Sequence, residues 1–133
     1  MPDIVVLIHS LPSLIGVFDQ LAAEILPGVL LQHILDEPLA EYIRQNGGVT
    51  SSDSARLWDH IKIAESIRAR AVLITCAEIT PLVENIRHLT TLPIIIMDEV
   101  ASFPEYKKRI PAESVPRLAL EQVGKSLFNL GWG

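Results

Sequence analysis

Four short apolar runs alternate with helix-forming segments along this chain, and that rhythm limits the fold more than any other feature. The runs are Ile4–Ile8, Val29–Leu35, Ala71–Thr75 and Pro93–Met97. Unbroken apolar runs of this length suit strands buried on both faces of a parallel sheet. Between the first two, Leu14, Phe18, Leu21 and Ile25 recur at helical spacing, and Pro27-Gly28 ends that segment. After the second, Pro38 opens a short helix through Ile43, closed by Gly47-Gly48. Ser51-Ser52-Asp53 then supplies capping residues for a longer helix with Leu57, Ile61, Ala64 and Ile67 on one side. Thr80-Pro81 caps and opens the next helix, which turns Leu82, Ile86 and Leu89 inward. Strand and helix alternate four times, so the expected fold is α/β with right-handed crossovers.

The rhythm breaks after Asp98. Phe103–Arg109 is polar and reads as one or two helical turns. Ser114–Leu130 reads as a last helix with Val115, Leu118, Ala119, Val123 and Leu127 available for burial. No fifth strand follows, and Ile110-Pro111-Ala112-Glu113 is the only candidate linker. At 133 residues the expectation is one domain, residues 1–133, large enough to bury a core.

Charge and cysteine usage exclude several functions. A net charge of -5 argues against nucleic acid as the main partner, which needs a basic face. The single cysteine leaves no internal disulfide and no CxxC pair, which fits a reducing cytoplasm. No targeting segment is visible at Met1-Pro2-Asp3, and no apolar run is long enough to span a bilayer. His33 lies inside a strand, His60 inside a helix and His88 near a helix end, and their spacing matches no metal motif. No metal and no cofactor is expected: Gly16 stands alone after the first strand, so there is neither a P-loop nor a dinucleotide fingerprint. Trp58 and Trp132 read as packing or interface residues.

In open α/β sheets, ligands bind just beyond the carboxyl ends of the strands. There the first strand offers His9 and Ser10, the second Asp36 and Glu37, and the third Thr75, Cys76 and Glu78. If the strands are ordered 2-1-3-4, the first and third are neighbours, and His9, Ser10, Thr75 and Cys76 line one crevice. Cys76 then reads as a nucleophile or proton-transfer base, its thiolate favoured by the helix start behind it and by His9. The competing reading is a small buried hydrophobe. His9 equally reads as a group satisfying backbone. Asp36, Glu37, Asp98 and Glu99 read as helix-start acids.

Several motifs together carry a family resemblance. Leu7-Ile8-His9-Ser10-Leu11-Pro12-Ser13-Leu14 resembles the opening of the aspartate/glutamate/hydantoin racemase superfamily. His33-Ile34-Leu35-Asp36-Glu37-Pro38-Leu39 and Asn46-Gly47-Gly48-Val49-Thr50 fit the same pattern. So do Thr75-Cys76 before Thr80-Pro81-Leu82-Val83, and Pro93-Ile94-Ile95-Ile96-Met97-Asp98-Glu99. The resemblance covers residues 4 to 101. It implies a flavodoxin-like half of a racemase over residues 1–101: a three-layer domain with helices on both faces of a four-stranded parallel sheet ordered 2-1-3-4. Residues 102–133 are then a divergent helical tail.

The resemblance also implies a chemistry. In such enzymes two similar halves face each other, each contributes a cysteine, and the substrate's α-carbon lies between two thiols. Cys76 matches the first-half cysteine and Thr75 its carboxylate-binding neighbour. His9 and Ser10 match the strand end bordering the pocket. This makes Cys76 and His9 the candidate catalytic residues, and Ser10, Thr75, Ala77 and Glu78 the candidate substrate-binding residues, for a small carboxylic or amino acid.

Two departures bear on that chemistry. Serines commonly follow the cysteine in the family, whereas Ala77 and Glu78 stand here, and a carboxylate at that place opposes both an anionic substrate and a thiolate. The second half with its second cysteine is also missing: the chain runs instead through Tyr106-Lys107-Lys108-Arg109 into its last helix. Two-thiol racemisation within one copy is therefore excluded. A homodimer would bring two copies of Cys76 together, with Leu118, Val123, Leu127, Phe128, Leu130 and Trp132 of the last helix covering the exposed surface or forming a two-fold contact. The alternatives are a single-thiol isomerase, a non-catalytic ligand- or protein-binding module, or a truncated product.

Overall fold

The computed structural model describes residues 2–103 and 111–129. Among them the chain runs β1 (Asp3–His9), α1 (Ser13–Ile25), β2 (Val29–Leu35), α2 (Glu37–Asn46), α3 (Ser51–Ser66), β3 (Ala71–Ile74), α4 (Thr80–Ile86), β4 (Ile94–Ile96), α5 (Met97–Ala101) and α6 (Val115–Asn129). The four strands form one parallel sheet, as the alternating pattern predicts, in the order β2-β1-β3-β4 that the resemblance implies. The strand bounds differ from the expected ones by at most two residues. His9 completes β1 instead of following it, and Thr75 has left β3.

Side chains alternate across a strand, so each face of the sheet gathers one parity of residue. Val6, Ile8, Val72, Ile74, Ile94 and Ile96 meet Leu39, Ala40 and Ile43 of α2, Leu57, Ile61 and Ala64 of α3, and Leu82, Val83 and Ile86 of α4. Val5, Leu7, Ala71 and Leu73 meet Phe18 and Ala22 of α1, and Ala119, Leu120, Val123 and Leu127 of α6. The result is three layers. The terminal helix is seated on the sheet beside α1, so the described part of its apolar face is occupied within this chain. Leu118 and Val115 are only half-buried there, while Leu120 is fully buried. Expectations for Tyr106–Arg109, Leu130 and Trp132, and for the Phe128 side chain, lie outside the described residues.

Helix ends show where local sequence was misread. The N-cap of α3 is Thr50, one residue before the expected serines. Its Oγ1 accepts from the Asp53 N–H at 3.3 Å, and the Asp53 Oδ2 accepts from the Thr50 N–H at 2.9 Å. This reciprocal box leaves Ser51 and Ser52 in the first turn. Replacing Thr50 with Ala is expected to lower stability by about 1 kcal/mol, read from the denaturation midpoint in urea. Gly47 ends α2 at φ 72°, where its N–H and that of Gly48 reach back to Arg44 and Ile43.

Thr80 does not cap α4. A 3₁₀ turn over Ala77–Ile79 precedes that helix, and the buried Thr80 Oγ1 has no hydrogen-bond partner. Ile67 and Leu89, expected to face inward, are exposed. Ile67 is already the C-cap of α3, and Leu89 sits in a 3₁₀ turn beyond α4, so helical periodicity no longer places either. Asp98 and Glu99 lie in the first turn of α5, as their helix-start reading expects.

Candidate functional site

Three strand ends open onto one cleft of about 460 Å³. It is lined by Ser10 and Leu11 after β1, Glu37, Pro38, Ala40, Glu41 and Arg44 of α2, and Glu78 of the turn after β3. The cleft therefore lies at the carboxyl edge of the sheet, on the side of α2. Among the described residues its one cation is Arg44, which is bracketed: Nη1 donates to Glu78 at 2.6 Å and Nη2 to Glu41 at 2.7 Å.

The β1–β3 register settles how the expected site residues divide. Val5 pairs with Ala71 and Ile8 with Ile74, an offset of 66. The same offset carries on past the strands: His9 meets Thr75, and Ser10 meets Cys76. Successive residues point to opposite faces, so these two pairs lie on opposite sides of the sheet. The expected single crevice of His9, Ser10, Thr75 and Cys76 is not what forms. Ser10 and Glu78 line the cleft, and Cys76 lies buried immediately behind them, 4% exposed. His9 and Thr75 are buried toward α1. Ala77 is exposed beside Glu78 but does not line the cleft.

Behind the cleft, the Ser10 hydroxyl donates to Cys76 Sγ at 2.8 Å, and the thiol donates to Glu78 Oε2 at 3.2 Å. Burial pushes the Cys76 thiol up from its ordinary range; the Glu78 carboxylate adds to this, and the Ser10 hydroxyl opposes it. Cys76 is thus held as a neutral thiol, contrary to the expected thiolate, and His9 is not among its hydrogen-bond partners. Glu78 behaves oppositely. Its hydrogen bond from Cys76, its own backbone N–H and Arg44 hold its carboxyl below the usual carboxylate range.

On the other face a chain of hydrogen bonds links four side chains. His9 Nδ1 lies 2.7 Å from Thr75 Oγ1, His9 Nε2 lies 2.8 Å from His33 Nδ1, and His33 Nε2 lies 2.8 Å from Asp19 Oδ1 on α1. Thr75 Oγ1 is also 3.2 Å from the Ile8 carbonyl. Burial lowers the His9 pKa to about 4, with the neighbouring His33 acting in the same direction and Asp19 against it. The ring also packs against Phe18, with centroids 5.9 Å apart.

A third cluster closes the β2 end. Asp36 caps α2 by accepting from the Leu39 N–H at 3.2 Å. It also accepts two bonds from Arg56, at 2.7 and 2.8 Å, and one from His60 at 2.7 Å. Burial pushes this carboxyl up, but the bonds from Arg56, His60 and Leu39 outweigh burial and hold it down. The helix-start reading of Asp36 holds, with a tie from α2 to α3 added to it. Sequence spacing alone marked neither His33 nor His60. Strand parity is the signal that would have found His33, because it shares its face with His9.

Among the described residues no group of His, Cys, Asp and Glu is placed to hold a metal ion, and no helix is long and apolar enough to cross a membrane. Compared with known proteins, the chain matches no family model, no curated protein and no solved structure.

Proposed function

We propose that this chain is a racemase-like α/β module that binds a small amino acid in the cleft between α2 and the turn after β3. The observation carrying this reading is the charge layout there: one guanidinium, Arg44, set among Glu37, Glu41 and Glu78. A ligand carboxylate has one cationic partner, Arg44, which it shares with Glu41 and Glu78. A ligand ammonium has three carboxylates to choose from. A zwitterion satisfies both sets, whereas a dicarboxylate meets net repulsion. The Ser10 hydroxyl at the cleft floor has its proton on Cys76 and keeps its oxygen lone pairs as an acceptor for the ammonium. Resemblance to the amino-acid racemases points to the same ligand class.

A second reading is favoured by the hydrogen-bond chain from Ser10 through Cys76 to Glu78. In it the protein is a single-thiol isomerase in which the neutral Cys76 gives a proton to one substrate atom, the resulting thiolate takes one back from another so that the thiol is restored, and Ser10 positions the sulfur. Two-thiol racemisation would need a second copy of Cys76, since the chain has one cysteine, and a homodimer is the form that would supply it.

The test is calorimetric titration with neutral amino acids, acidic amino acids, simple dicarboxylates and simple amines. Neutral amino acids are expected to bind more tightly than dicarboxylates or amines. Arg44→Gln is expected to weaken binding at least about tenfold, the loss of a charged hydrogen bond. Absence of binding by every amino acid, or affinity indifferent to Arg44, would contradict the reading.

A further inference from the structure

The second cluster, away from the cleft, obeys a strict proton count. Thr75 Oγ1 approaches both His9 Nδ1 and the Ile8 carbonyl, yet a hydroxyl has one proton. If that proton goes to Ile8, His9 must donate through Nδ1 and accept through Nε2. His33 must then donate through Nδ1. Its Nε2 faces Asp19, whose carboxylate only accepts, so Nε2 must donate as well. His33 then carries both protons. Without that additional proton the directions reverse: Thr75 donates to His9 Nδ1, His9 Nε2 to His33, and His33 Nε2 to Asp19, and the Thr75–Ile8 contact is lost.

We propose that Asp19, His33, His9 and Thr75 form a one-proton binding site, in which uptake of a proton from solvent turns the whole chain of hydrogen bonds around. The balance is simple. One proton is taken up, His33 becomes an imidazolium, and His9 exchanges its Nε2 proton for an Nδ1 proton while staying neutral. The freed Thr75 hydroxyl turns to the Ile8 carbonyl.

The surroundings place the charge on His33. Asp19 faces it from α1 at 2.8 Å, with its own side chain 57% exposed and open to solvent. His9 faces it from β1 with the rings stacked, centroids 5.0 Å apart, but is 1% exposed and disfavoured as a cation. From β3 comes only the neutral Thr75. Helix α6 packs against α1, β3 and β4 instead of β2, and its Arg117 is tied to Glu24 of α1 at 2.8 Å.

Proton uptake would reach the cleft through the backbone. The Ile8 carbonyl already accepts the Thr75 N–H at 3.0 Å. The turned hydroxyl adds a second tie between the ends of β1 and β3, two residues before Ser10 and one before Cys76. Proton binding on one face thereby tightens the junction that carries the cleft residues on the other.

The experiment is long-range proton–nitrogen correlation on ¹⁵N-labelled protein, which reads each ring's tautomer, from about pH 8 to about pH 5, the range in which imidazoles exchange protons. His9→Gln and His33→Gln assign the signals. His9 is expected to carry its proton on Nε2 at the upper end and on Nδ1 at the lower end, as His33 becomes doubly protonated. Asp19→Asn, at an exposed position, is expected to move that midpoint down. A single His9 tautomer throughout, a His9 imidazolium in that range, or a midpoint indifferent to Asp19 would overturn the proposal.

Discussion

Acidification from pH 6.5 to about 4 is expected to remove about 3 kcal/mol of folding stability through His9 alone. In the folded chain this imidazole is held neutral down to about pH 4, because it is buried against Phe18 and beside His33. In the unfolded chain it takes up its proton near 6.5, the ordinary value. Between those two values the unfolded state binds the more protons, so stability rises with pH across the window. The contribution is complete above about pH 6.5 and is lost as pH falls to about 4. Each unit corresponds to roughly 1.4 kcal/mol, which sets the size. His9→Gln keeps a hydrogen-bonding side chain without a titrating ring. Urea midpoints of the two proteins, compared at several pH values, are expected to converge as pH falls. Parallel pH profiles would mean that His9 titrates in the folded state as it does in water.

Asp36→Ala is expected to cost about 2–3 kcal/mol. The carboxylate is buried and receives four hydrogen bonds, from Arg56 twice, His60 and the Leu39 N–H. Its removal loses the N-cap of α2, worth about 1 kcal/mol. It also leaves donors without an acceptor. His60, whose Nδ1 already lacks a partner, would then have none on either nitrogen. Breaking a fully buried ion pair from one side costs roughly 3–5 kcal/mol. Arg56 is 40% exposed and recovers water, so the expected loss is smaller. Asp36→Asn, which retains an acceptor oxygen for the cap, is expected to recover part of the difference. Equal midpoints for Asp36→Ala and the parent protein would mean that water already satisfies Arg56 and His60.

The four strands were legible because two signals agreed: unbroken apolar runs, and helical spacing between them; their order was implied only by the family resemblance. Phe18, Leu57, Ile61, Leu82, Val123 and Leu127 were legible for the same reason, since a strict 3.6 period places them. Leu89 and Ile67 were not, because each lies past the end of its helix, where the period has no meaning. The candidate site was legible in its location but not in its grouping. His9 and Cys76 lie at neighbouring strand ends, and residue type alone makes them partners. Only the register of β1 against β3 separates them, since an even offset of 66 keeps odd residues on one face and even residues on the other. His33 went unmarked because a histidine inside an apolar strand carries no motif; its partner Asp19 comes from a helix, at a distance spacing cannot reveal. Arg44 went unmarked because a surface arginine near a helix end ordinarily complements the helix dipole. Only the packing of α2 beside Glu78 turns it into the one cation of a cleft.

The reading of the cleft as a ligand site backed by a neutral thiol is tested most directly by the pH dependence of Cys76 alkylation, with and without a neutral amino acid. The account predicts slow reaction at neutral pH, a rate that rises only above the ordinary thiol range, and further slowing when the amino acid is present. Rapid alkylation at neutral pH, titrating below ~8.5, would contradict it and make Cys76 a thiolate nucleophile.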